Sequence, residues 1–138
     1  MRFDLSRRDI TDDKGVAAVE FALVASILIT LVMGIIEFGL IFFTYNSAGS
    51  ATRDIARRVA TARLSSASAS SALIQQLPGW VQSSTTVDVT QTASGSPTTN
   101  IITVTTTFPA TKATPVNILS SFYANVTVTS SSAMQQEF

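Results

Sequence analysis

The residues best placed for chemistry in this sequence are a glycine and a glutamate, Gly15 and Glu20, at the start of a long apolar run. Phe21 follows Glu20 directly, and no further charged residue occurs before Glu37. An ionised side chain inside a bilayer costs about 2.5–3.5 kcal/mol or more, so a retained one usually marks function. We therefore interpret Glu20, in the first turns of an apolar helix, as a functional carboxylate.

The composition narrows the classes of function that the chain can have. Its 138 residues carry 9 basic and 9 acidic side chains, and this neutral balance indicates no nucleic-acid partner. The absence of cysteine and histidine excludes disulfides, thiol catalysis, the usual zinc sites and histidine general bases. Lys112 is the only lysine after Gly15, and we expect no apolar pocket that would activate it. We predict that the chain is not an enzyme and uses no cofactor, metal or small-molecule substrate.

The apolar run predicts a transmembrane helix over 16–45. From Phe21 to Tyr45 only Glu37 is charged, and the segment exceeds the roughly 20 helical residues that cross a bilayer. Small residues recur at every fourth position, so they form one stripe along which a second helix can approach closely. A stripe of this kind also arises from the ordinary composition of membrane helices. The stripe residues are Ala18, Ala22, Ser26, Thr30 and Gly34.

Glu37 lies near the far end of the predicted span. Four aromatic residues follow it closely, which favours a belt at the membrane interface. We favour an interfacial position for the Glu37 charge, with a packing role as the alternative. The basic residues do not set the orientation, because four lie before the span and four follow soon after it. The aromatic residues are Phe38, Phe42, Phe43 and Tyr45.

Beyond the span, the spacing of apolar residues predicts helix first and strands afterwards. Apolar positions recur at steps of three or four, and a last short helix stops at Pro78, so 46–77 is predicted to continue as helix outside the membrane. Within this segment Asp54 and Arg58 have the spacing of an exposed ion pair. Thr114 followed by proline predicts a further short helix.

Alternating apolar and polar residues predict three strands in the remaining segment, 80–138. The strands are expected over 85–92, 100–108 and 122–130, with a turn at 94–97. One face of such a small sheet needs a cover, and the stripe containing Ile55 and Val59 is suited to supply it. The predicted fold is therefore α+β: a long N-terminal transmembrane and amphipathic helix packed on a small three-stranded antiparallel sheet.

Three segments of the sequence together resemble the TadE-like minor pseudopilins of tight-adherence (Tad, or Flp-type) pili, and the implied fold is pilin-like. These segments are Gly15–Phe21, Gly34–Gly39 and Ala51–Ala60, and a weaker similarity lies in Ser131–Glu137.

The resemblance implies that a membrane prepilin peptidase cuts after Gly15, which makes residues 1–15 a cytoplasmic leader peptide. Val16 would become the mature N-terminus. Glu20 would then pair with an N-terminal amine during assembly, and Phe21 matches the aromatic residue that follows this glutamate in the family. Pairing two poorly hydrated charges would relieve part of their desolvation cost.

The function implied by the resemblance is that of a minor pseudopilin or structural assembly component in the biogenesis of an adhesive Tad pilus. The chain would cross the bacterial inner membrane once, with its N-terminus in the cytoplasm and its C-terminal domain outside. Its partners would be the prepilin peptidase, other Tad pilins and pseudopilins, the inner-membrane assembly platform and membrane lipids.

Two alternatives remain open from the sequence. The first is a permanently anchored envelope protein that binds a partner and is never processed. The second is a secreted domain behind a signal peptide cut near Ser47-Ala48-Gly49, although the apolar run is long for a signal peptide.

Overall fold

The computed structural model describes residues 13–93 and 100–136, and it divides between Met33 and Gly34 into two compact units. Helix α1 contributes to both units. The elements in chain order are α1 (Asp13–Ala60), α2 (Ser66–Gln76), the single turn α3 (Gly79–Gln82), β1 (Thr86–Ala93), β2 (Asn100–Pro109) and β3 (Thr127–Gln135), with 3₁₀ turns at Ala110–Lys112 and Ser120–Phe122.

The described part of the first unit is the N-terminal portion of α1, and its large apolar side chains are exposed. Over Gly15–Ala60 the helix is long and apolar enough to cross a membrane, with a hydropathy of 2.5 in its most apolar window. The Ser26 and Thr30 hydroxyls donate to the carbonyls of Leu23 and Ser26, both at 2.8 Å. The helix therefore satisfies these polar groups internally, as a lipid environment requires.

The second unit is built on an antiparallel sheet with the strand order β1-β2-β3. Val89 of β1 pairs with Val104 of β2, which pairs on its other side with Ser132 of β3. The inward positions of β2 are buried against one face of α1, because strand side chains alternate with a period of two. The core residues of β2, α1 and α2 are Ile102, Val104 and Phe108, then Ala48, Ala51, Ile55, Ala56, Val59 and Ala60, then Ala69 and Leu73. These contacts confirm the predicted α+β fold, with the long helix packed on a three-stranded antiparallel sheet.

The helical continuation predicted over 46–77 is divided into two helices. Helix α1 ends at Ala60, and Ala62 follows in the left-handed region with φ 54°. The Arg63 amide donates to the Arg58 carbonyl at 2.9 Å, which satisfies an end carbonyl of α1 as the chain turns. Ser65 then caps α2 by accepting the Ser68 amide at 3.3 Å.

Two further predictions on local structure differ from the observed elements. Strands β1 and β2 lie within two residues of their predicted bounds, but the third strand begins at Thr127 and not at Phe122. The alternation from Phe122 onward runs through a turn in which the Val126 amide donates to the Tyr123 carbonyl at 3.0 Å. The helix expected after Thr114 is absent from this described segment, because the Thr114 hydroxyl accepts the Val116 amide at 3.1 Å and closes a turn. The predicted turn at 94–97 lies outside the described residues.

Candidate functional site

The residues predicted to act in processing and assembly all lie on the first turns of α1. Gly15, Val16, Glu20 and Phe21 are exposed, and most of the expected leader peptide, residues 1–12, lies outside the described residues. Val16 and Glu20 are four residues apart, so they share a face of the helix with a rise of about 6 Å between them. Their roles in processing and amine pairing stay predictions.

The predicted small-residue stripe contains members in two different settings. Ala18, Ala22, Ser26 and Thr30 are exposed, and their packing on a partner helix stays a prediction. Gly34 is buried within the second unit, where a Cβ on it would lie 3.1 Å from Cδ1 of Leu119. A glycine at this position lets the loop that carries Leu119 approach the α1 backbone closely.

Glu37 is the most informative side chain of the second unit. It is 0% exposed, and its Oε2 accepts the Leu119 amide at 2.9 Å. Its Oε1 accepts the hydroxyl of Tyr123, which is 7% exposed. Leu119 and Tyr123 flank the 3₁₀ turn Ser120–Phe122, so a single carboxylate holds both ends of that turn. These contacts are those of the packing alternative for Glu37, and its position relative to a membrane interface stays a prediction.

The burial of Glu37 has an energetic consequence for the loop. Among the described residues the only ion pair joins Asp54 and Arg58, so Glu37 is held by hydrogen bonds to neutral donors. Hydrogen bonds to a charged group each contribute about 1.5–3 kcal/mol, and a buried charge that loses a donor is strongly destabilising. The Glu37 carboxylate therefore needs both donors to stay buried, and its two hydrogen bonds hold the loop on α1. We call the hydrogen bonds from Leu119 and Tyr123 to Glu37 the Glu37 clamp.

A second polar contact lies two helical turns further along the same face of α1. The buried Thr44 hydroxyl donates to the Ala113 carbonyl at 2.6 Å, and Nε1 of Trp80 donates to the same carbonyl at 3.1 Å. Eight residues later, the Thr52 hydroxyl lies 2.8 Å from that of Thr106 on β2. Residues at these spacings share a helix face. The packed face of α1 thus carries three polar side chains. Glu37 binds the loop, Thr44 lies beside Trp80, and Thr52 contacts the sheet.

Tyr123 is the titratable group that the clamp perturbs. Burial raises the pKa of Tyr123 to about 12, assisted by its hydrogen bond to Glu37 and by the negative charge there. A neutral phenol is therefore retained beside the carboxylate over the whole physiological pH range. The phenol acts as a hydrogen-bond donor, and this arrangement is suited to holding structure.

Two exposed charged residues of the second unit, Asp54 and Arg58, form the predicted ion pair. Arg58 Nη2 lies 2.9 Å from Asp54 Oδ2, which confirms that pair, and Nε2 of Gln76 on α2 donates to the same oxygen at 3.1 Å. Exposed pairs of this kind contribute little to stability. Within the described residues no cluster of acidic side chains is arranged to hold a metal ion.

Comparison with known protein families gives a match in the N-terminal part of the chain. Residues 15–57 match the family described as TadE-like protein, over about a third of the chain. This segment is similar to TadE-like proteins, and the match supports the resemblance predicted from the sequence. Neither a curated protein nor a solved structure matches the chain.

The TadE-like segment includes Glu37 but stops before the residues that Glu37 binds. Sequence reasoning missed Tyr123. In the strand expected at 122–130, Tyr123 would lie on the polar face, opposite Phe122 and Val126. It also missed Leu119, because a backbone donor leaves no mark in the residue type. The available signal was the lone carboxylate on an apolar helix, since burying it requires donors from elsewhere in the chain.

We expect Tyr123→Phe to lower the free energy of unfolding of the second unit by about 1.5–3 kcal/mol, because the buried Glu37 carboxylate loses a donor. Chemical unfolding in mild detergent, followed by the fluorescence of the single tryptophan Trp80, measures this change. Tyr45→Phe is the matched control, since Tyr45 is exposed and should change stability by no more than about 0.5 kcal/mol. Equal effects of the two substitutions would contradict the clamp.

The raised pKa of Tyr123 predicts a loss of stability in strong alkali. The folded chain keeps a phenolic proton that the unfolded chain releases near pH 10, so this contribution is complete below pH 10 and disappears as the pH rises through about 12. In Tyr45→Phe, Tyr123 is the only remaining tyrosine, and its tyrosinate absorbance should appear near pH 12. A step near pH 10 in the folded protein would show that the phenol is not held as described.

Proposed function

We propose that this chain is a minor pseudopilin, a structural assembly component of a Tad-type adhesive pilus, processed after Gly15 by a prepilin peptidase. The observation that carries the proposal is the TadE-like match, which begins at Gly15 and includes Glu20. It is supported by α1, which is long and apolar enough to cross a membrane and whose first described turns expose both residues. The leader would face the cytoplasm, and the second unit would lie outside the inner membrane.

Cleavage after Gly15 would create a new amine on Val16, one helical turn from Glu20. That amine and the Glu20 carboxylate would both sit near the cytoplasmic edge of the bilayer, where hydration is incomplete. An ion pair between them, within one chain or between neighbouring chains, would offset part of the desolvation cost of both groups. Processing would in this way make the helix ready for assembly.

The exposed part of the small-residue stripe is suited to contact a pilin or pseudopilin helix. Its Ser26 and Thr30 hydroxyls already donate to carbonyls of α1. The stripe therefore offers a partner close backbone approach and dispersion contacts, which drive helix association in membranes. Other Tad pilins, pseudopilins and the assembly platform are the proposed partners.

The second candidate is a membrane-anchored envelope protein that binds a partner without being processed. A well-packed second unit and a helix long and apolar enough to cross a membrane favour this reading equally, because neither feature depends on cleavage. The two candidates differ in the mature N-terminus, which would be Val16 for the pseudopilin and Met1 for the unprocessed anchor.

We expect Gly15→Leu to block processing, because a bulky side chain would occupy the position next to the cut bond. Mass spectrometry of protein from the native host should find Val16 as the first residue of the wild type and an uncut leader in the variant. Gly39→Leu is the matched control, since a Cβ on Gly39 meets no atom within 4 Å. Normal maturation of the Gly15 variant, or an intact leader in the wild type, would contradict the peptidase step.

We expect Glu20→Gln to preserve membrane insertion but to reduce surface pili by at least about tenfold, the effect of losing about 1.4 kcal/mol of pairing energy. Pili sheared from cells and measured by immunoblot give this quantity, with the membrane fraction as the measure of insertion. Asp54→Asn removes a different exposed carboxylate and should leave pilus output unchanged. Wild-type output from the Glu20 variant would exclude the assembly role of that residue.

A further inference from the structure

The position of the membrane edge along α1 follows from the length of the helix that lipid can cover. About 20 helical residues cross the hydrocarbon core, so a span that starts at Val16 ends near Ile35. From Gly34 onward one face of α1 is covered by protein, because Gly34 and Glu37 contact the chain at Leu119. For a span that starts at Val16, the outer edge of the core would fall at 34–37, ahead of the predicted end at 45.

The loop that holds Glu37 also exposes apolar side chains. Phe122 is 84% exposed, although Leu119 and Tyr123 on either side of it both bind Glu37. Ile118 and Val126 are each about half exposed. The Phe38 side chain is also exposed and its ring centroid lies 6.3 Å from that of Tyr123. The sequence has no charged residue from Ala113 to Val126. We call Phe38, Ile118, Phe122 and Val126 the apolar collar.

We propose that the apolar collar lies in the outer interfacial layer of the lipid bilayer, so that the Ile118–Val126 loop rests on the membrane beside α1. The proposal rests on the membrane anchoring in the proposed function. A bilayer has an interfacial layer of about 5–7 Å on each side of its core, and Phe38 comes only about 4.5 Å of helix rise after Ile35. Phe38 thus falls within that layer, and the loop with the other collar residues is held to α1 one residue earlier, at Glu37.

Lipid is a better occupant of the collar than a second protein chain, for two reasons. The loop that carries most of the collar has no charged residue from Ala113 to Val126, and Glu37, the charged residue that it contacts, is buried. Aromatic and aliphatic side chains beside such a span gain by entering the boundary between headgroups and acyl chains. The Glu37 clamp then has a further role, because it presents Phe122 to the bilayer and fixes the depth of the second unit.

The chain contains no cysteine, so a single introduced cysteine carries a nitroxide label at one defined position. We propose Phe122→Cys and Ile118→Cys as test sites, Leu28→Cys as a site within the span, and Ala133→Cys on β3 as an exposed control. The labelled full-length protein is reconstituted in phosphatidylcholine vesicles. Electron paramagnetic resonance then compares collisions with oxygen, which concentrates in lipid, and with a water-soluble nickel chelate.

The expected result is that labels at 118 and 122 collide with the nickel chelate severalfold less, relative to oxygen, than the label at 133. Equal accessibility at 122 and 133, with the label at 28 still protected, would overturn the collar while leaving the anchor intact. Exposure of the label at 28 would refute the anchor and the collar together. Spin–spin broadening at 122 that disappears on dilution with unlabelled protein would assign the surface to a second copy and overturn the lipid assignment. Trp80 fluorescence confirms that each labelled variant is folded.

Discussion

A carboxylate on an apolar helix can be buried only if the rest of the chain brings donors to it. Glu37 is fully buried, and the donors are the Tyr123 hydroxyl and the Leu119 amide. Removing either donor would leave charge in an apolar setting, and removing the carboxylate would leave both donors unpaired. This mutual dependence fixes the loop between β2 and β3 on α1, and the close approach at Gly34 is possible because glycine has no side chain.

The same constraint explains how one helix can serve two environments. Up to Met33 the described helix exposes apolar side chains and satisfies its own hydroxyls, as lipid requires. Further along, one face carries Glu37, Thr44 and Thr52, and each of them hydrogen-bonds to a group of the second unit. Glu37 in particular selects the face that packs, because its carboxylate would lose both donors if another face were turned toward the sheet. The Thr52 hydroxyl depends less on that choice, since it also donates to the Ala48 carbonyl of its own helix at 2.7 Å. Hydrophobicity alone would not distinguish the faces of so apolar a helix.

The sequence predicted the parts of this structure that depend on local periodicity. The apolar run, strands β1 and β2 and the Asp54–Arg58 pair followed from spacing alone. The third strand was placed too early because Phe122 and Val126 alternate as strand residues do, while the fold uses Phe122 outside the sheet and buries Tyr123 instead. The partners of Glu37 depend on residues about eighty positions away and on a backbone amide, which spacing does not reveal.

Hydrogen exchange at the Leu119 amide tests the burial of Glu37 most directly, because that amide donates to the carboxylate. The account predicts that nuclear magnetic resonance in detergent micelles will show a protected Leu119 amide in the wild type. In Glu37→Ala the protection should disappear, while the Val104 amide, central in the sheet, should stay protected. A Leu119 amide that exchanges in the wild type as fast as in an unstructured peptide, or that stays equally protected without Glu37, would contradict the account.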